Sequence, residues 1–209
     1  MYTLYYSPGA ASLLPHLLLI EIGAPHELKR VDTAAGEQRG AEYLRLNPNG
    51  VVPTMIVDGR PCAETAALVL LLCERHPEAG LAPAVDAPDR AAFLQGILYL
   101  ANTLQPAFRL WFYPGDAGNV DHAALKDGLR VRIEKCFDQL AAQLADGRTY
   151  LLGETPSALD FYATMLMRWS RNMPRPATEW PALKALADRI RARPSWQRLY
   201  EVEGLTEWV

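Results

Sequence analysis

Apolar positions follow two different periods along this chain of 209 residues, and the change of period divides it. Through about residue 78, short runs of both kinds occur. Tyr2-Thr3-Leu4-Tyr5-Tyr6 is aromatic and β-prone and predicts a strand. Pro8-Gly9 breaks it. Residues 13–22 then predict a helix that is apolar on almost every side and hence buried, with Ser12 as its expected N-cap and Gly23 and Pro25 as its stop. Glu27–Val31 reads as a second strand and residues 37–46 as a short, irregular helix halted by Asn47-Pro48. Thr54–Val57 and Arg60–Ala63 flank Asp58-Gly59, a two-residue hairpin signal, and a helix is expected from about Glu64 to His76. The order βαβα then ββα puts a parallel pair and a hairpin into one sheet.

Residues 77–88 are rich in Pro, Gly and Ala and read as a linker. Every long segment after it has helical period: 89–112, 121–146, 157–172, 180–192 and about 195–202. Asp121 and Ser157 are expected N-caps and Gly147 a C′ residue. The expected organisation is an α/β domain over 1–78, a linker over 79–88 and an all-helical domain over 89–209.

Composition narrows the function. Half of the residues are apolar, enough for a sizeable core, and a net charge of −3 argues against a nucleic-acid surface. Cys62, Cys73 and Cys136 lack Cys-x-x-Cys spacing and read as reduced thiols of a cytoplasmic protein. No signal-peptide pattern precedes Tyr2 and no apolar run reaches bilayer length, so neither secretion nor a membrane partner is expected. His16, His26, His76 and His122 are scattered without metal-ligand spacing, so no metal is expected.

The candidate chemistry begins where the first strand hands over to the first helix. A helix N-terminus offers unpaired N–H groups and positive partial charge, which favour an anion such as a thiolate. The Pro8–Ser12 turn has no cysteine, so a thiolate there would have to arrive with a ligand. Val52 before Pro53, at the start of a strand, has backbone groups that could pair with a ligand as an added strand would, the more so if the bond is cis. Glu64-Thr65 sits where a strand becomes a helix. It suits either a zwitterionic amino-acid head or simple helix capping. Ser157-Ala158-Leu159-Asp160 has capping-box spacing, with Pro156 and Phe161 as a hydrophobic staple, and is read as a folding device. Phe108, Trp111, Phe112 and Tyr113 could line an aromatic pocket or pack a core, and Arg168, Arg171 and Arg175 read as a solvated face.

Tyr5-Tyr6-Ser7-Pro8-Gly9, the Asn47-Pro48-x-Gly50-x-Val52-Pro53 block, Glu64-Thr65 before an apolar helix and the Ser157/Asp160 cap occur in this order over essentially the whole chain. Together they resemble the cytosolic glutathione transferases, nearest in the opening to the bacterial beta class. The resemblance implies a thioredoxin-like N-terminal domain that binds glutathione as co-substrate. It also implies an all-helical C-terminal domain contributing the electrophile pocket, and usually a homodimer. By this resemblance Val52, before a cis Pro53, pairs with the cysteinyl backbone of glutathione. Glu64 and Thr65 hold its γ-glutamyl head, and Gln105, Phe108, Trp111 and Phe112 border the electrophile. The beta-class cysteine position is Ala11, its histidine position aligns with Gln105, and the delta-class serine position is Ala10. The sulfur partners left are Ser12, taken as the catalytic candidate, Ser7, or the backbone around Ala10-Ala11. Three activities fit: conjugation of the thiolate to small apolar electrophiles; glutathione-dependent disulfide or peroxide reduction, or isomerisation; and glutathione binding without turnover.

Overall fold

A computed structural model describes residues 1–208. In chain order it has β1 (Tyr2–Tyr6), α1 (Leu13–Ile22), β2 (His26–Arg30), α2 (Ala41–Leu44), β3 (Thr54–Val57), β4 (Arg60–Ala63), α3 (Thr65–Arg75), α4 (Arg90–Tyr99), α5 (Gln105–Phe112), α6 (His122–Gln143), α7 (Ala158–Trp169), α8 (Pro181–Arg191) and α9 (Pro194–Glu203). The elements group into two units, Met1–Leu81 with Ala192–Glu207, and Ala82–Arg191.

The first unit holds one four-stranded sheet in the order β2-β1-β3-β4. β1 runs parallel to β2 and antiparallel to β3, and β3 and β4 form the expected hairpin. Asp58 and Gly59 both take positive φ, 52° and 77°, the condition for a hairpin turn whose twist matches its strands. This is the thioredoxin-like α/β arrangement that the resemblance implies. Leu4 and Met55 on the central strands, Leu13, Leu14, Leu17 and Leu18 on α1, and Leu68, Val69 and Leu72 on α3 are fully buried. They form the core that fixes the strand ends.

The last helix departs from expectation. α9 packs along α1 in the first unit instead of completing an all-helical 89–209 domain. It is tied at both ends. Glu21 near the end of α1 meets Arg193 Nε at 3.1 Å and the Ser195 hydroxyl, and His16 near its start meets Glu203 at 2.7 Å. The two helices are therefore antiparallel.

The second unit is all helical, α4 to α8. Residues 89–112 predict one helix, and the structure interrupts it with a π-helical turn at Leu100–Leu104. Pro106 explains the interruption, because it has no N–H for the carbonyl one turn back and its ring crowds that carbonyl. Asp121 caps α6 through bonds from the amides of Ala123 (2.9 Å) and Ala124 (3.2 Å). Gly147 (φ 88°) closes a turn beyond the helix end, its amide bonding the Leu144 carbonyl, so it is not the C′ residue. Gly96 of α4 lies where an added Cβ would come within 2.7 Å of Leu159 Cδ2 on α7, so the two helices approach closely here and a larger residue would have to displace that side chain. Arg168 is buried, not on a solvated face, and the Arg175 guanidinium sits 3.6 Å from the Trp180 ring centre.

The capping box at the start of α7 is the strongest polar feature of this unit. Asp160 is fully buried; one carboxyl oxygen accepts from the Ser157 amide (2.8 Å) and hydroxyl (3.0 Å), the other from the Leu151 amide (2.8 Å). Burial pushes its carboxyl above the usual range against these donors, which pull it down.

Asp160→Ala strands two backbone donors and a hydroxyl, at a cost of about 2–4 kcal/mol, or roughly 4–16 °C in Tm for a chain this long. Thermal melting should show that loss, with any ligand affinity of the first unit unchanged; comparable losses in both would contradict a purely structural role. A raised folded-state carboxyl favours folding most at and below the ordinary carboxylate range, and that contribution disappears as pH rises through the raised value. Asp160→Asn cannot titrate, so melting across acid pH should lose this slope.

Candidate functional site

Sheet register gathers the site. Thr54 pairs with Tyr5 on one side and with Ala63 on the other. The segment leaving β1, the Val52-Pro53 segment entering β3 and the Glu64-Thr65 segment leaving β4 therefore emerge at one end of three adjacent strands. Expected ligand residues more than fifty positions apart become neighbours.

The first segment is the Ser7–Ser12 turn, bent by Gly9 at φ 70°. The Ala10 amide bonds the Ser7 carbonyl at 3.1 Å and the Leu13 amide the Ala10 carbonyl at 3.0 Å. Ser12 differs from both roles expected of it. Its backbone is already helical (φ −65°, ψ −17°), and its side chain makes no cap bond to α1. Its hydroxyl is fully buried, accepts from the Ser7 amide at 3.1 Å and donates to the Ser7 carbonyl at 3.0 Å. The one proton it could offer a sulfur is spent closing the turn. Ser7, 8% exposed, shares a 3.0 Å bond with the Thr33 hydroxyl. Ala11 is half-buried, and its amide is not among those used inside the turn.

Behind the turn lies a carboxylate that spacing gave no reason to look for. Glu203 of α9 accepts the Gly9 amide at 2.8 Å on one oxygen and His16 Nδ1 at 2.7 Å on the other, and the His16 and Glu203 side chains are both fully buried. A charge so placed is tolerable only when paired. Here it is paired with the turn and with α1 together. One signal existed: a histidine inside an apolar helix needs a buried partner. The partner itself, 187 residues away, was not readable.

The second segment contains a cis Val52–Pro53 bond. The preceding Val51 carbonyl accepts two bonds of 2.8 Å, from the Tyr43 hydroxyl and from Asn47 Nδ2. Tyr43 also bonds the Thr54 hydroxyl at 2.9 Å. Burial pushes the Tyr43 phenol up, so it stays a donor at neutral pH. Gly50 takes φ 61°, and a Cβ there would stand 3.2 Å from the Gln38 carbonyl.

In the third segment Glu64 is a non-glycine residue at φ 71°, ψ 113°, a sparsely populated conformation that persists only when its surroundings impose it. Its exposed carboxylate stands beside the first turn of α3, and Thr65, 5% exposed, opens that helix. The acidic side chain is not needed for the cap, since Glu64 makes no side-chain cap bond.

The expected electrophile residues lie in the second unit. Phe108 is fully buried, its ring packed on Phe137, Trp169 and Phe112, so it is core and does not line a pocket. Phe112, 45% exposed, and half-buried Trp111, with Lys126 Nζ 5.6 Å from its ring centre, remain accessible. Gln105 accepts the Tyr162 hydroxyl through Oε1, and its NH2 group is a donor only.

Known proteins give this geometry a setting. The glutathione S-transferase N-terminal domain model matches residues 12–75 and the C-terminal domain model residues 123–200. A glutathione S-transferase of Xanthomonas campestris, GST-4.5, is 31% identical over 97% of this chain and 98% of its own. The structure of a sphingomonad glutathione S-transferase complexed with glutathione is 32% identical, covers 98% of this chain and 100% of that one, and has a TM-score of 0.86. A beta class glutathione S-transferase of Sphingomonas chungbukensis is 30% identical with the same coverage and a TM-score of 0.85.

Glu203→Ala leaves His16 and the Gly9 amide without their acceptor and should cost about 3–5 kcal/mol. Glu203→Gln keeps shape and one acceptor and should lose clearly less. Equal losses on denaturant unfolding would show that the carboxylate does not hold the turn.

Proposed function

The chain belongs to the glutathione S-transferase family, and from that premise we propose that it joins the thiolate of glutathione to small apolar electrophiles. The convergence of the Ser7–Ser12 turn, Val52 and Glu64-Thr65 at one sheet end carries this reading. Glutathione lies across that end as an added strand. Val52 pairs with its cysteinyl backbone, and Pro53 sets the entry to β3. The Glu64 carboxylate meets the γ-glutamyl ammonium, while the Thr65 hydroxyl and the first amides of α3 meet its carboxylate.

The sulfur then rests against Ala11. An unperturbed thiol, of pKa about 8.5, is only a few per cent ionised at pH 7. Lowering it by two units takes roughly 2.7 kcal/mol of preferential thiolate stabilisation. The Ala11 amide and the positive end of α1, at about 0.5–2 kcal/mol each, approach that sum without a side-chain donor. Ser12 serves by holding the turn. In the reaction the thiolate attacks the electrophilic carbon, a C–S bond forms, and the leaving group departs with the electrons of its bond. The thiol proton has already gone to solvent. Within the second unit, exposed Phe112 and half-buried Trp111 supply apolar surface of the kind an electrophile would use.

A homodimer accords with the family, and exposed apolar Leu98 and Val131 in the second unit support it. A reducing, cytoplasmic setting suits the thiols of Cys62, Cys73 and Cys136. Among the described residues no helix is long and apolar enough to cross a membrane.

Absorbance titration of the glutathione complex should show the bound thiol ionising well below its free value, together with steady conjugation of an aryl halide. Ser12→Ala should keep the lowered thiol pKa while melting earlier. A return of the thiol to its solution value in that variant would restore the serine as sulfur donor. An unshifted thiol in the wild type would remove the transferase reading.

A further inference from the structure

The Val51–Val52 peptide is held from one side only, by side chains that cannot themselves reach a ligand. Tyr43 and Asn47 are 6% and 2% exposed, and both donate to the same Val51 carbonyl oxygen at 2.8 Å. Each donor is itself fixed. The Tyr43 proton goes to Val51, so at 2.9 Å the fully buried Thr54 hydroxyl donates to the Tyr43 oxygen. The Tyr5 ring meets the Tyr43 ring edge-on at 5.9 Å. Asn47 Oδ1 accepts the Asn49 amide at 3.1 Å, which sets which end of the side chain faces Val51, and its carbonyl accepts the Gly50 amide at 3.0 Å.

A peptide group is planar, and in a trans peptide its C=O and N–H point in opposite directions. Two donors on the Val51 oxygen therefore fix the direction of the Val52 N–H as well, away from Tyr43 and Asn47. We propose that Tyr43 and Asn47 are positioning residues that clamp the Val51–Val52 peptide plane so that the Val52 amide is aimed at the backbone of the bound peptide substrate. The clamp rests on the glutathione reading and deepens it, because it assigns part of the affinity to two residues that never touch the ligand. It acts on a backbone contact and is independent of the sulfur. Its loss must weaken glutathione and S-methylglutathione alike, and it must leave the ionisation of the bound thiol where it was.

Calorimetry on the full chain tests this with Tyr43→Phe, which removes one donor, and Asn47→Asp, which replaces the other with an acceptor facing the Val51 oxygen. Each should raise Kd for both ligands about 3–10-fold, the size of one lost hydrogen bond. Thiol pKa should be unchanged, and kcat at saturating glutathione should stay within about two-fold of wild type. Asp160→Ala, which destabilises the second unit and leaves the Tyr43, Asn47 and Thr54 bonds intact, should hold Kd within about two-fold and serves as the stability control. Should one variant fail to fold, the other carries the test. Wild-type affinity for both ligands in Tyr43→Phe and Asn47→Asp would overturn the clamp, as would a weakening that follows thiol pKa or kcat instead of Kd. A wild-type chain that binds neither ligand would overturn the glutathione reading and the clamp with it. Binding by wild type with indifferent variants removes the clamp alone.

Discussion

Thr54 is bonded to Tyr5 on one flank and to Ala63 on the other, so three segments distant in sequence are forced out of the sheet at the same end. Strand register has a period of two, and a slip by one residue would turn Leu4 and Met55 out of the core. Both are fully buried, and that hydrophobic cost locks the alignment. The site thus inherits its geometry from burial on the other side of the strands. It needs no polar bond between the three segments to hold them together.

On the proposed reading, electrostatics at the turn after β1 is a balance between a resident anion and an incoming one. Glu203 places a carboxylate directly behind Gly9, where it would oppose a thiolate if its charge were unscreened. His16 and the Gly9 amide take up that charge in a dry environment, and such bonds are stronger there than in water. The same carboxylate explains why the last helix belongs to the first unit. Its two polar ties to α1, at Glu21 and His16, are buried or half-buried and span the full length of the contact.

What could be read from the residues was what local chemistry decides. Asp58-Gly59, the Pro8-Gly9 break and the Ser157/Asp160 box each act within four positions, and each formed where the pattern put it. Ser12 shows the limit of that reasoning. A serine before an apolar helix is the ordinary N-cap pattern, yet a backward bond to Ser7 competes for the same hydroxyl and wins because it closes a buried turn. Phe108 read as pocket or core, since an aromatic at helical spacing serves either, and only its neighbours Phe137 and Trp169 decide for core. Glu203 and the Tyr43 bond to Val51 were out of reach for different reasons. The first joins opposite ends of the chain, and the second hides a polar role inside a residue that composition counts as apolar.

These features share one physical logic. On the proposed reading the contacts to the peptide come largely from backbone: the Ala11 amide, the Val52 amide and the start of α3. Backbone groups are the same in every residue, so their precision must come from what fixes the peptide planes. Here that is Ser12 and Glu203 for the turn, Tyr43 and Asn47 for Val51–Val52, and the imposed conformation of Glu64 for the α3 entry. A chain built this way can replace the side chain nearest the sulfur with alanine and still present an anion site, because that side chain was never the whole donor. It cannot so easily replace the buried polar groups behind the loop. Each of them leaves an unpaired neighbour in a dry interior when removed.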